Sequence, residues 1–182
     1  MKFVIDRAVS RFRVQAFATG LLSAFGHNPT IEIRNYDAEI SCFLDTFEKA
    51  SLRVTVDTTR MEVLDEMKAS DRQKLEEEMY EKVLDSQHFP TAIYESSNAL
   101  VHKLTNENLR VEVNGQLSFH GAARSQALQA NVNVLGSMLR IAGDFLIRQS
   151  DYGIKPVSFA AGALRLKDEL KFAFDLVARR QD

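Results

Sequence analysis

Leu109-Arg110-Val111-Glu112-Val113-Asn114-Gly115-Gln116-Leu117-Ser118-Phe119-His120 alternates inward and outward positions through all twelve residues. Leu109, Val111, Val113, Leu117 and Phe119 share one face, with Gly115 among them. A period of two marks a strand with one buried and one wet face. At ~3.3 Å per residue such a strand runs roughly 40 Å. Tilted by ~40° in a barrel, it still spans on the order of 30 Å of the axis.

The same rhythm recurs along the chain. Ser10 to Phe17 sets Phe12, Val14 and Ala16 against Arg11, Arg13 and Gln15. Ala50 to Asp57 opposes Leu52, Val54 and Val56 to Arg53, Thr55 and Asp57. Leu128 to Leu135, Leu139 to Ile147 and Leu170 to Leu176 repeat it, the last with Phe172 and Phe174 on the apolar side. With Thr30–Tyr36, Glu39–Leu44 and Ala92–Ser96 the count is about nine strands. Short turns rich in Gly, Asn and Asp favour antiparallel hairpins over parallel crossovers.

One segment departs from this pattern. Ser70-Asp71-Arg72-Gln73 reads as a capping box, with Ser70 as N-cap and Gln73 reaching back. Leu75, Met79 and Val83 then recur at helical spacing among Glu76, Glu77, Glu78, Glu81 and Lys82. One amphipathic helix over about 70–85 is expected, ending before Pro90. Its acids point around the helix rather than converging on a cation. Many strands with one inserted helix imply an all-β domain over residues 1–182, built as a sandwich or a closed antiparallel β-barrel.

The bulk numbers exclude several classes. Lys and Arg total 23 against 25 Asp and Glu, and no stretch concentrates the basic residues as a nucleic-acid binder would. Cys42 is the one cysteine, so no internal disulfide forms; within Ile40-Ser41-Cys42-Phe43-Leu44 it reads as a small buried hydrophobe. The uncharged run from Val14 to Ile31 contains Gln15, Gly20, Gly26, Asn28 and Pro29, a poor membrane span. Met1 to Arg7 reaches an acid at the sixth position, unlike a secretory leader. A soluble, cytoplasmic chain is expected, or a periplasmic one whose leader has been removed.

Catalytic signatures are absent: no G-x-S-x-G elbow, H-E-x-x-H, C-x-x-C or Gly-rich phosphate loop occurs. His27, His88, His102 and His120 have no ligand spacing with one another, and neither a metal nor a cofactor is expected. Ser118 and His120 would share a face in a strand, but without an orienting acid. Ala18 to Pro29 is an apolar segment bounded by glycines and a proline. It reads either as a plug with Leu21, Leu22 and Phe25 at one barrel end, or as a portal over a cavity.

The ordered motifs resemble the YceI-like family along nearly the whole chain. Ile5-Asp6 followed by Ser10-x-Phe12-x-Val14 is similar to the family's opening strand. Leu84-Asp85-Ser86-Gln87-His88-Phe89-Pro90-Thr91-x-x-Tyr94-x-Ser96 resembles the signature that follows its helix. Asn114 to Gly121 resembles its central hairpin, Ser150-Asp151-Tyr152-Gly153-Ile154 its Ser-Asp-Phe-Gly-Ile turn, and Glu169 to Leu176 its closing strand. Gln149 stands where the family usually has Arg, Ala123-Arg124-Ser125 replaces a common Thr-Lys-Pro, and His27 lies in a Gly-His-Asn-Pro setting. Gly153 is expected to supply a positive φ and Asp151 to bond the local backbone.

The resemblance implies a bacterial, lipocalin-like barrel that binds a polyisoprenoid or quinone-like lipid without catalysis. The inward residues expected to meet such a ligand are Phe12, Val14, Tyr94, Leu117, Phe119, Phe145, Ile147, Phe172 and Phe174, with Leu21, Leu22 and Phe25 at the mouth. For Tyr94, Phe119 and Phe145 core packing is the favoured reading over ligand contact. The alternatives are a filled barrel acting as an interaction or homodimerisation module, and a hydrolase or metal-dependent enzyme using His27 or His120.

Overall fold

Alternation of apolar and polar residues does generate strands throughout the computed structural model, which describes residues 1–19, 28–42, 50–159 and 164–181. The strands are β1 (Lys2–Ile5), β2 (Arg11–Thr19), β3 (Thr30–Ile33), β4 (Tyr36–Ser41), β5 (Ser51–Asp57) and β6 (Met61–Val63). Then follow β7 (Thr91–Lys103), β8 (Asn108–Phe119), β9 (Ala122–Leu135), β10 (Met138–Arg148), β11 (Ser158–Phe159) and β12 (Leu164–Gln181).

Three neighbouring pairs, β1 with β2, β3 with β4 and β5 with β6, are single strand positions interrupted by a short break. Counted so, and with the two-residue β11 pairing β12 off the main path, the sheet is a closed antiparallel barrel of eight strands. Closure depends on β12, whose one edge pairs β10 while the other pairs β2 and then β1. The break between β1 and β2 is bridged by a side chain. Ser10 Oγ donates to Asp6 O at 2.7 Å and accepts the Val177 N–H at 2.9 Å, standing in for a ladder partner the turn has removed.

The inserted helix, α1 (Ala69–Glu78), continues through a π-type turn over Met79–Val83. Its start differs from the capping-box expectation. Ser70 lies inside the first turn, where its hydroxyl has no N-cap geometry, and the Asp71 and Arg72 N–H groups donate instead to Lys68 O, each at 3.0 Å. Gln73 reaches forward to Glu77 rather than back. The acids diverge as expected: Glu77 takes Gln73, Glu78 takes Lys82, and Glu76 reaches the sheet.

This helix also seals a strand edge. Tyr80 Oη accepts the Met61 N–H and donates to Met61 O, while Glu76 Oε1 accepts the Val63 N–H. Two side chains one turn apart therefore supply β6 with the partners a neighbouring strand would give, removing an exposed edge.

Two turns complete the frame. His120 (φ 49°) and Gly121 (φ 74°) form the two-residue hairpin between β8 and β9, with both central residues left-handed as a type I′ turn requires. Gly153 is left-handed, as expected, at φ 74°. The side chain that bonds this turn is Asp168 rather than Asp151: it accepts Ser150 N at 2.8 Å and Ser150 Oγ at 2.6 Å across the barrel wall.

Candidate functional site

Inward-facing side chains leave the barrel partly empty, enclosing a cavity of about 290 Å³. That volume is at the lower end of the usual range for small-ligand sites. Strand parity builds its wall: Phe12 and Val14 from β2, Leu117 and Phe119 from β8, Phe145 and Ile147 from β10, and Phe172 and Phe174 from β12. Tyr94 joins them from β7, so all nine described residues expected inside do line it. Leu21, Leu22, Phe25 and His27 lie outside the described residues.

Aromatic rings cluster on one side. Phe145 stacks on Phe172 with centroids 4.9 Å apart and planes 13° from parallel, and Phe12 lies 6.3 Å from Phe172. At the end near the helix, Ile147, Tyr152 and Ile154 form a buried cluster against Phe119 and Phe145. The larger cluster surrounds Phe3, Leu109 and Ala178 nearer the other end.

Three polar side chains on the wall are turned into backbone bonds. Tyr94 Oη donates toward Val113 O (3.2 Å) and Gln126 O (3.1 Å), and burial pushes its pKa up to about 12. Thr58 Oγ1 donates to Phe89 O at 2.7 Å, and the amide of the buried Gln149 donates to Lys167 O at 2.9 Å. Hence nearly everything the cavity presents is hydrocarbon.

Two buried oxygens, Tyr36 Oη and Glu78 Oε2, have no hydrogen-bond partner among the described residues. Burial raises the Tyr36 pKa. The Ser10 hydroxyl beside it offsets part of that rise without meeting hydrogen-bond geometry, its own bonds going to Asp6 and Val177.

Residues not expected at the site from the sequence also contribute. Leu75, Met79 and Val83, the apolar stripe of the helix, face the cavity. So do Ile31 and Ile33 of β3 and Ala38 of β4. The helical spacing showed which helix face was apolar but not what it covers. Cys42 is buried on the same wall, and burial raises its thiol pKa.

Ser118 and His120 are not brought together, and His27 lies outside the described residues. Ser118 is exposed on β8, whereas His120 leaves the strand for the turn, where Nδ1 lies 3.0 Å from Tyr152 O and the ring packs on Phe89 at 4.6 Å. Among the described residues no group of three or more His, Cys, Asp or Glu could hold a metal ion. No described helix is long and apolar enough to cross a membrane.

Comparison with solved structures returns barrels of this topology. Burkholderia cenocepacia BcnA is 16% identical with a TM-score of 0.73, covering 95% of this chain and 98% of its own. A Saccharophagus degradans polyisoprenoid binding domain implicated in plant cell wall breakdown is 13% identical with a TM-score of 0.70, covering 98% of each chain. Campylobacter jejuni YCEI protein is 14% identical with a TM-score of 0.65, covering 86% of this chain and 88% of its own. At these identities the likeness concerns the fold. No curated protein matches the chain. The family model for the YceI-like domain matches residues 3–178, and the chain belongs to that family.

Proposed function

We propose that this barrel binds a long apolar chain of the polyisoprenoid or quinone-tail type, for storage or transport rather than for chemistry on it. The observation that carries this reading is the cavity itself, framed by strands and lined almost wholly by hydrocarbon, with the polar groups of Tyr94, Thr58 and Gln149 bonded to backbone. Burial of the ligand's hydrocarbon would drive association at roughly 25 cal/mol per Å² before the costs of ordering. A linear chain suits an interior framed by twelve- to eighteen-residue strands such as β8 and β12. Membership of the YceI-like family, and the polyisoprenoid-binding description of the Saccharophagus degradans relative, support the same class.

Native mass spectrometry of protein purified from its own host, followed by organic extraction, tests this. A co-purifying lipid of defined mass, displaced by added prenyl chains, is the expected result. A compact empty species that takes up no prenyl chain overturns it.

A further inference from the structure

The seam between β9 and β10 is joined for only part of its length. Its ladder runs from Leu135 and Met138 to Ala130 and Gly143, and stops there. Beyond that point β9 stays paired to β8 as far as Ala122, and β10 to β12 as far as Arg148. The facing edges, Ala122–Gln129 and Asp144–Arg148, share no ladder pair. Five residues of β10 edge correspond to about 16 Å of unjoined wall.

The β9 edge is finished by its own side chains. Gln129 O lies against the bare α-carbon of Gly143 across the seam, where a Cβ would come within 2.3 Å of it. Carbonyls alternate along a strand, so those of Ala127 and Ala123 point the same way. Gln126 Nε2 donates to Ala127 O and Arg124 Nη1 to Ala123 O, each at 2.9 Å. These two side chains, opposite Gly115 and Leu117 on β8, stand in for the N–H groups that β10 supplies elsewhere.

The gap has a floor at Gly143 and a top where His120 meets Tyr152 O. Leu128, Phe145 and Ile147 flank it, and all three line the cavity. Leu146, between the last two, is 48% exposed on the outer side. Hydrocarbon therefore reaches this seam from both faces of the wall.

We propose that the unjoined part of the β9–β10 seam is a lateral portal through which the apolar ligand enters and leaves the barrel. Passage here breaks no ladder hydrogen bond, whereas the continuously paired β8–β9 seam would lose a run of them. The inference rests on the apolar-ligand reading and adds the route to it.

Stapling the seam tests the portal. Continuing the register sets Ala127 opposite Leu146, and both are exposed. In a Cys42→Ala background, an Ala127→Cys/Leu146→Cys pair is joined with a bismaleimide and the product checked by intact mass. The control joins Gln116→Cys to Ser125→Cys, exposed partners across the paired β8–β9 seam. Stopped-flow fluorescence then follows uptake and release of a dansyl-labelled farnesyl chain. The seam staple should slow both rates by about tenfold or more with little change in affinity, and the control staple should change neither. A bulky maleimide on Ala127→Cys alone should slow both rates in the same sense, whether or not the pair can be joined. Unchanged rates in the blocked seam, or equal slowing by the control, overturn the portal and leave ligand binding standing. No uptake by the unstapled protein overturns the binding reading and the portal with it.

Discussion

The ring of Tyr94 lies across the bare α-carbon of Gly115, so close that a Cβ there would come within 2.7 Å of Tyr94 Cζ and Oη and nearer still to the Glu95 carbonyl oxygen. The carbonyl belongs to the paired strand and cannot yield. Gly115→Ala should therefore destabilise the protein by about 3 kcal/mol, an overpacking cost, as read from urea unfolding. Gly136→Ala is the contrast: its φ is 64° but nothing lies within 4 Å, so only the backbone conformation resists and about 1 kcal/mol is expected.

The same tyrosine gives the barrel an alkaline limit. The fold holds its phenol neutral up to about 12, whereas the unfolded phenol ionises near 10. This contribution is complete below the unfolded value and disappears as pH rises through the folded one. Tyr94→Phe should flatten the fall in melting temperature between about pH 10 and 12. Because burial also raises Tyr36, Tyr80 and Tyr152, part of the slope should remain.

Acid should act at Asp168. Hydrogen bonds from the Ser150 hydroxyl and backbone, opposed by partial desolvation, lower its pKa. Its contribution is present above the unfolded carboxylate range and lost as pH falls through the lower folded value. Asp168→Asn should cost about 1 kcal/mol at neutral pH. In denaturant titrations at several pH values, the difference from wild type should shrink below about pH 4.

Binding should respond to the phenylalanine row. Phe145→Asp places a charge beside the Phe172 ring on the apolar wall and should abolish uptake of a prenyl chain. Ala130→Phe fills the cavity without adding charge and should weaken uptake where the aspartate variant proves unstable. A folded Phe145→Asp protein that binds prenyl chains normally would place the ligand elsewhere.

Strand identity was legible wherever the period of two ran unbroken, as in β8 and β10. It faded where the ladder slips. In β7 the register shifts between Ser96 and Asn98, so the inward positions change parity from Tyr94 to Ala99 and Val101. That bulge explains why the alternation was read only as far as Ser96. The three-residue β6 was too short to show a period, and its stability comes from Glu76 and Tyr80 on the helix. Inward residues of the site followed from parity within each strand. Those of β3 and β4 were less evident because the strand position breaks at Arg34–Asn35. Whether the interior is filled or hollow was not legible at all, since alternation reports which way a side chain points and not how far the opposite wall stands.

The double pairing of β12 also sets an order of events during synthesis. Until Leu164–Gln181 has left the ribosome, β10 and β2 are open edges and the phenylalanine-lined inner face is exposed to water. Such an unclosed sheet is a target for mispairing and for chaperone capture, and its closure joins residues as far apart as Lys2 and Gln181. The nascent chain therefore spends its most vulnerable interval just before the final strand arrives, and that same interval is when the interior is most open to a hydrophobic guest.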